Sequence, residues 1–385
     1  MKPTGLFVGM RRIHRRSILL FVLIIALILL SGHMMRAYEA LLLTGEFGGY
    51  APLPLLQTRS EVTVRPLCIS RESRHYSADL YLPEDSPEAG IVLLHGAEQA
   101  GKDDPRLVDF ARQLAGRRIA VLVPELPGPK QLRIRAEDAQ GVVDAFYVLN
   151  SYPGLKKRIG LGGFSVSAGL AFLAALRPEI GSEVAYVLSV GGYHSLPRTL
   201  DYAITGQFQV DGKWQHQTPN AYGKWLFVLS NLEVLDNRAD RRTLRDIAYR
   251  RMVSPHSDIS DMTSGLSEEG QAVLAYVIEK NPADIDERYA ALPLAIRQQI
   301  EALDLSNKKL NRLQARVLLI HGYDDTIIPY AESISLARAL PRKQVKLFLV
   351  PGLEHVDSHL ERLIDAWQLW QASYALLQER DRLAR

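Results

Sequence analysis

Apolar positions in this chain fall into short continuous runs separated by stretches with helical spacing. From about Glu61, "EVTVRPLCI" and "YSADLYLP" read as an opening antiparallel pair of strands. "GIVLLHG" and "IAVLVPELPG" are apolar runs of buried-strand length, each ending in turn residues. Between them Leu107, Val108, Phe110, Ala111 and Leu114 recur at helical spacing, and Val142, Val143, Phe146 and Leu149 mark a second helix. The order continues as strand "RIGLGGF", helix "AGLAFLAAL" and strand "VAYVLSVGG". Later come strand "RVLLIHG", helix "YAESISLARAL" and strand "VKLFLV". A long terminal helix follows, with an apolar face of Leu360, Leu363, Ile364, Trp367, Trp370, Tyr374 and Leu377. Alternating β and α segments with near-continuous apolar strands predict an α/β fold, a mostly parallel twisted sheet with helices on both faces.

One stretch breaks the alternation. Residues 198–312 contain "ADRRTLRDIAYRRM", "EEGQAVLAYVIEK" and "LAIRQQIEALDL", helix-like and charged, with no strand-turn-helix unit of the core. They read as a helical cap inserted after the sixth strand, over the carboxyl edge of the sheet. The core is then split into residues 61–197 and 313–385.

The first 60 residues have a different character. A basic segment, 1–17, carries Arg11, Arg12, Arg15 and Arg16 just before "SILLFVLIIALILL", and the chain stays uncharged to Met35. As a helix, Ile18 to Met35 spans roughly 27 Å, close to a hydrocarbon core of roughly 30 Å. Residues 18–35 are therefore read as an uncleaved transmembrane signal anchor and 36–60 as a juxtamembrane linker. A cleaved signal peptide and a buried helix are the alternatives. The nearest small-x-small pair, Met35-Arg-Ala37, is a poor cleavage site, and no lipobox cysteine is nearby. Positive charge on the N-terminal flank puts that end in the cytoplasm and the body outside it, in a periplasm if the cell is Gram-negative.

The net charge of +3 comes from the same segment, because the first 36 residues hold six basic residues and no acidic one. The rest is slightly acidic with no dense Lys/Arg stretch, so no nucleic-acid footprint is expected. The single cysteine, Cys68, excludes an internal disulfide framework and a CxxC site.

In an open α/β sheet, active sites gather beyond the carboxyl ends of the strands. Four polar groups stand there: His95-Gly96-Ala97-Glu98, Ser165, His321-Gly-Tyr-Asp324-Asp325, and Pro351-Gly-Leu-Glu354-His355. "GGFSVSAG" offers two serines in a small-x-Ser-x-small setting. Ser165 follows the apolar strand directly; Ser167 requires the turn to fall inside what reads as the first helical turn. Ser165 is the reading and Ser167 the rival. Taken singly, each residue also has a structural explanation: Ser165 as a helix N-cap, Asp325 as a cap for the next segment, His355 as a loop histidine. His355, Asp357 and His359 form an H-x-D-x-H string, but a helix starting there points them away from one centre, and no metal site is expected.

From about Glu61 onward these motifs together resemble the α/β-hydrolase superfamily: HG after the third strand, G-x-S-x-small, HGxxDxxIP and PGxxH, with Ser before Asp before His. "LSEEGQAVLAYVIEKNPADIDERYAALP" and "HVD" are similar to a group of membrane-anchored bacterial hydrolases. The resemblance implies Ser165 as nucleophile, His355 as general base and Asp325 as its orienting carboxylate, with Asp324 the off-by-one rival. It implies an oxyanion hole from the backbone N–H groups of Ala97 and Val166. His95 would shape the loop behind that hole, and Glu125 receives no role. Glu98, Tyr193 and His194 are candidate substrate contacts.

The expected function is a membrane-tethered serine hydrolase acting on a small-molecule or lipid carboxylic ester, without metal or organic cofactor. An amidase, peptidase or acyltransferase using the same triad is the alternative within the fold, and a non-catalytic binding protein the alternative outside it. Trp214, Tyr222, Trp225 and Phe227 in the cap are compatible with an apolar substrate.

Overall fold

A computed structural model of the protein describes residues 32–46, 61–155, 158–354, 357–358 and 363–384. The apolar runs form strands close to the expected bounds. In chain order these are β1 (Val62–Arg71), β2 (Arg74–Pro83), β3 (Ala89–Leu94), β4 (Ile119–Pro124), β5 (Ile159–Phe164) and β6 (Val184–Val190). The short strands β7 (Gln207–Val210) and β8 (Lys213–His216) follow, then β9 (Arg316–Gly322), β10 (Val345–Val350), β11 (Leu353–Glu354) and β12 (Asp357–Ser358). Eight strands make one sheet in the order β1-β2-β4-β3-β5-β6-β9-β10. β2 runs antiparallel to β1 and β4, and every other neighbouring pair is parallel.

The helices are α1 (residues 32–46), α2 (Pro105–Ala115), the single turn α3 (Pro127–Lys130), α4 (Ala139–Asn150), α5 (Val166–Ala175) and α6 (Leu196–Thr205). Next come α7 (Tyr222–Asn231), α8 (Arg238–Val253), the single turn α9 (Ser260–Thr263), α10 (Glu268–Ile278), α11 (Ile285–Ala291) and α12 (Leu294–Leu303). The core closes with α13 (Ala331–Ala339) and α14 (Leu363–Ala384).

Side chains of a strand alternate between faces, so a strand that is apolar throughout must be covered on both. β3 obeys this: Val92 and Leu94 join the core under α4 and α5, while Ile91 and Leu93 join the core under α2 and α14. The expected α/β architecture with helices on both faces is present.

Residues 18–31 of the expected membrane span lie outside the described residues, and no described helix is long and apolar enough to cross a membrane. Residues 36–46, read as the start of a linker, are instead helical in α1 and docked on the body. Ala40 and Leu43 enter the core shared with α14. Arg36 pairs with Asp381 at 2.6 Å, and Glu39 pairs with Arg380 at 2.7 Å. The cause is amphipathic spacing, masked in the sequence by the glycines and prolines that follow.

α14 buries Leu377 and packs Trp370 and Tyr374 against the core as expected, and adds Leu369, Ala372 and Leu376 to its buried side. Trp367 is half exposed and stacked on Trp370, whose indole N–H donates to Ala37 O at 3.0 Å. The aromatic stripe is a second face, and it receives α1.

The segment between β6 and β9 is helical, as expected, except for the hairpin β7–β8. Asp211 and Gly212 both have positive φ (52° and 75°), the two-residue turn that Asp-Gly favours. Trp225, Phe227, Leu244, Tyr276 and Ile296 of this segment merge with the core over α4 and α5. Hydrogen bonds tie it to the body, among them Ile134 N–H to Ser230 Oγ at 2.8 Å and Tyr193 O–H to Leu303 O at 2.8 Å.

Arg380 is buried between Glu39 and Glu88, so its removal strands carboxylates in a low-dielectric setting. Arg380→Leu is expected to lower the unfolding free energy by about 3 kcal/mol in urea titration. Arg250→Ala, which breaks an exposed pair with Asp261 and an exposed hydrogen bond to Asp258 O, should change it far less, by about 0.5–1 kcal/mol.

Candidate active site

The turn between β5 and α5 fixes the centre of the site. Ser165 has φ 54° and ψ −134°, a left-handed conformation unusual for a residue with a side chain. Such strain costs about 1–3 kcal/mol and persists only where the surroundings impose it. Two features impose it. Ser165 N–H donates to Val190 O at 2.9 Å, carrying the ladder with β6 one residue past the strand. On the other side the chain folds back so closely that a Cβ at Gly163 would lie 2.6 Å from Ser167 O and 2.7 Å from Ala168 N. Only glycine fits there.

This geometry separates the two serines. Ser165 is 8 % exposed and lines both cavities described below, whereas Ser167 is fully buried in the first turn of α5 and lines neither. The Ser167 hydroxyl has no hydrogen-bond partner among the described residues. Val166 is the first residue of α5, where the amide has no carbonyl to bond within the helix and the helix dipole favours negative charge.

The second loop, after β3, is held by its histidine. Leu126 N–H donates to His95 Nε2 at 3.1 Å, so the ring proton sits on Nδ1, which donates to Gly96 O at 2.8 Å. Burial pushes the His95 pKa below the ordinary histidine value, which keeps this neutral form in place. With the Gly96 carbonyl turned to His95, the Ala97 N–H across the planar peptide points the opposite way. The Ala97 carbonyl in turn accepts from the Tyr222 hydroxyl of α7. Glu125, which had no expected role, lies 3.7 Å from His95 Nε2 and pairs with Lys130 at 2.8 Å.

The two candidate carboxylates have different settings. Asp325 is fully buried, and its Oδ1 accepts from Ile327 N–H at 2.9 Å and Ile328 N–H at 3.0 Å. Its Oδ2 lies 3.2 Å from Nε2 of the buried His321. Asp325 thus does cap the next segment. Asp324 is exposed and spends Oδ2 on Gly352 N–H at 2.9 Å, which joins the loops after β9 and β10. His355 lies outside the described residues, as does His359 of the H-x-D-x-H string.

Two cavities meet at Ser165. The outer one, about 410 Å³, is lined by His95, Gly96, Ala97, Glu98, Phe164, Tyr222, Thr326, Ile327 and Glu354 among others. The inner one, about 70 Å³, is lined by Val166, Tyr193, Leu226, Phe227, Ile300, Leu303 and Ile327 among others. Of the candidate contacts, Glu98 lines the outer cavity and accepts Ala100 N–H at 3.2 Å. Tyr193 lines the inner one with its hydroxyl committed to Leu303 O.

His194, the third candidate contact, lines neither of these two cavities. Its backbone N–H is drawn to Glu332 at 3.0 Å, and its Nδ1 lies 3.3 Å from Arg198. Asp104 and Arg106, a paired acid and base on the outer wall, went unnoticed in the sequence because i,i+2 charge pairs carry no motif.

Two substitutions test the turn by thermal or chemical unfolding. Gly163→Ala should cost about 3 kcal/mol through overpacking against backbone. Ser167→Ala should raise stability by about 1 kcal/mol, since it removes a buried unpaired hydroxyl from a helix. A loss of stability there would mean that the hydroxyl has a partner.

No protein-family model and no curated protein matches the sequence. Solved structures do match in fold. The cell-wall-degrading esterase LipA of Xanthomonas oryzae aligns over 88 % of this chain and 95 % of its own, with TM-score 0.58 and 13 % identity. A provisionally assigned hydrolase of Legionella pneumophila aligns over 88 % and 94 %, with TM-score 0.56 and 11 % identity. With the sheet order, the strained serine turn after β5 and these likenesses taken together, the chain has the fold of the α/β-hydrolase superfamily.

Proposed function

We propose that the protein is a serine hydrolase that cleaves a carboxylic ester through an acyl-enzyme on Ser165. The observation that carries this reading is the strained turn. It holds one serine at the junction of two cavities, at the N-terminus of a helix, while the neighbouring serine is buried. His355 takes the Ser165 proton as Oγ attacks the ester carbonyl, and Asp325 orients that base. The oxyanion is received by the N–H groups of Val166 and Ala97. His355 then returns the proton to the leaving alcohol, and water activated by the same base releases the acid.

Asp325 is supported over Asp324 by its burial and by the backbone hydrogen bonds that lock its carboxylate. The segment from α6 to α12 acts as the cap in this reading, since it supplies Tyr222 to one cavity and most of the wall of the other. The basic flank and apolar run before residue 36 support a tether in the membrane with the body outside the cytoplasm.

Ser165→Ala should abolish hydrolysis of p-nitrophenyl acetate, with a loss of about 1000-fold or more in kcat and unfolding unchanged. A variant that retains wild-type turnover would end this assignment. Tyr222→Phe frees the Ala97 carbonyl while keeping the ring that lines the outer cavity. It should lower kcat about tenfold with little change in KM, less than the 100- to 1000-fold loss of an oxyanion donor itself.

A further inference from the structure

A helix on the surface of a protein in water normally turns its apolar side to the core and its charge outward. α1 reverses the second half of that rule. Its three charged residues all face the body: Arg36 meets Asp381, Glu39 meets Arg380, and Glu46 meets Arg117 at 2.9 Å. His33 is engaged with the body as well, its Nδ1 lying 3.0 Å from the Tyr374 hydroxyl. The outward side carries no charge. Met34, Tyr38 and Leu41, four and three residues apart, share that side, and Met34 and Leu41 are 65 % and 59 % exposed.

Trp367 of α14 widens this surface. It is 53 % exposed and stacks at 4.8 Å on Trp370, whose indole N–H holds the carbonyl of Ala37. An exposed indole therefore stands next to the middle of α1. Apolar side chains with Trp and Tyr among them, and charge withheld, suit the boundary between lipid headgroups and acyl chains.

What covers the surface follows from the chain itself. The run read as a membrane span extends to Met35, and α1 begins at residue 32. Residues 32–35 thus belong to both, and the first turn of the docked helix is the end of the span. A span that ends there sets the start of α1 at the bilayer boundary. Arg36, Glu39 and Glu46 keep their partners in the body, so laying the helix on lipid exposes no charge to it.

We infer that the outward side of α1, with Trp367 beside it, docks in the headgroup layer of the membrane. The body is then held against the bilayer in one orientation and does not swing on a linker. The inference rests on the membrane tether proposed above. The inserted segment gives a control, since it packs with the core over α4 and α5, whereas α1 and α14 share the core on the other face of the sheet. Its Trp214 is exposed, apolar and on that far side.

The test uses the full chain in phosphatidylcholine vesicles, with Cys68→Ser so that one added cysteine carries an environment-sensitive fluorophore. The label is placed through Met34→Cys, Leu41→Cys or Trp214→Cys, all exposed positions, so each variant should unfold as the Cys68→Ser parent does. Nitroxide-bearing lipids should quench the labels at 34 and 41 from a depth of about 5–10 Å at the headgroup–acyl boundary. The label at 214 should stay unquenched. A label at 41 in water, in vesicles from which alkaline carbonate does not extract the protein, overturns the inference and leaves the tether. A label at 41 shielded from water but unquenched by the lipids means that protein, such as a second copy of this chain, covers α1, and overturns it too. Extraction by carbonate removes the tether and the inference together.

Discussion

The chemistry proposed for this protein depends on one backbone turn. β5 ends at Phe164 and α5 begins at Val166, which leaves a single residue to reverse the chain. That residue can do so only in the left-handed half of conformational space and only because Gly163 carries no side chain. The strain is offset by an extended ladder to β6 and by the burial of α5, whose residues from Ser167 to Phe172 are all inaccessible. The turn is what lifts one hydroxyl into accessible space at the head of a helix.

The surroundings of that hydroxyl are assembled from distant parts of the chain. The loop after β3 is set from below by the neutral His95 and from above by Tyr222 of the inserted segment. Ile327, beside Asp325, forms part of the partition between the two cavities. The inserted segment is therefore joined to the site itself, through Tyr222, Leu226, Phe227, Ile300 and Leu303. A change in its packing would alter both the loop geometry and the volume next to Ser165.

Much of this was legible in the sequence, and the limits have physical causes. β9 matches the apolar run "RVLLIHG" residue for residue, because a strand buried on both faces gives a nearly continuous apolar signal; β10 matches "VKLFLV" as well, although this edge strand is only half-buried and carries Lys346. Ser165 was separable from Ser167 because the strand's apolar body ends at Phe164. α1 was not legible: its anchors Arg36 and Glu39 meet partners more than 340 residues away, and no local pattern records such a pairing. The hairpin β7–β8 did carry a local signal, Asp211-Gly212, but its strands are four residues each and partly polar. His194 stands at a strand end beside Tyr193 but lines neither cavity, and its backbone N–H is bound by Glu332 of α13, a partner 138 residues away. The cavities were illegible for the same reason, since each wall draws on side chains from several elements.

The identity of the nucleophile is best tested by mapping where a covalent probe lands. The folded chain is treated with a fluorophosphonate, digested, and the modified peptide sequenced by mass spectrometry. The phosphonyl group is expected on Ser165, with Ser167 in the same peptide unmodified. An adduct on Ser167, or on neither serine in protein shown to be folded, would contradict the assignment.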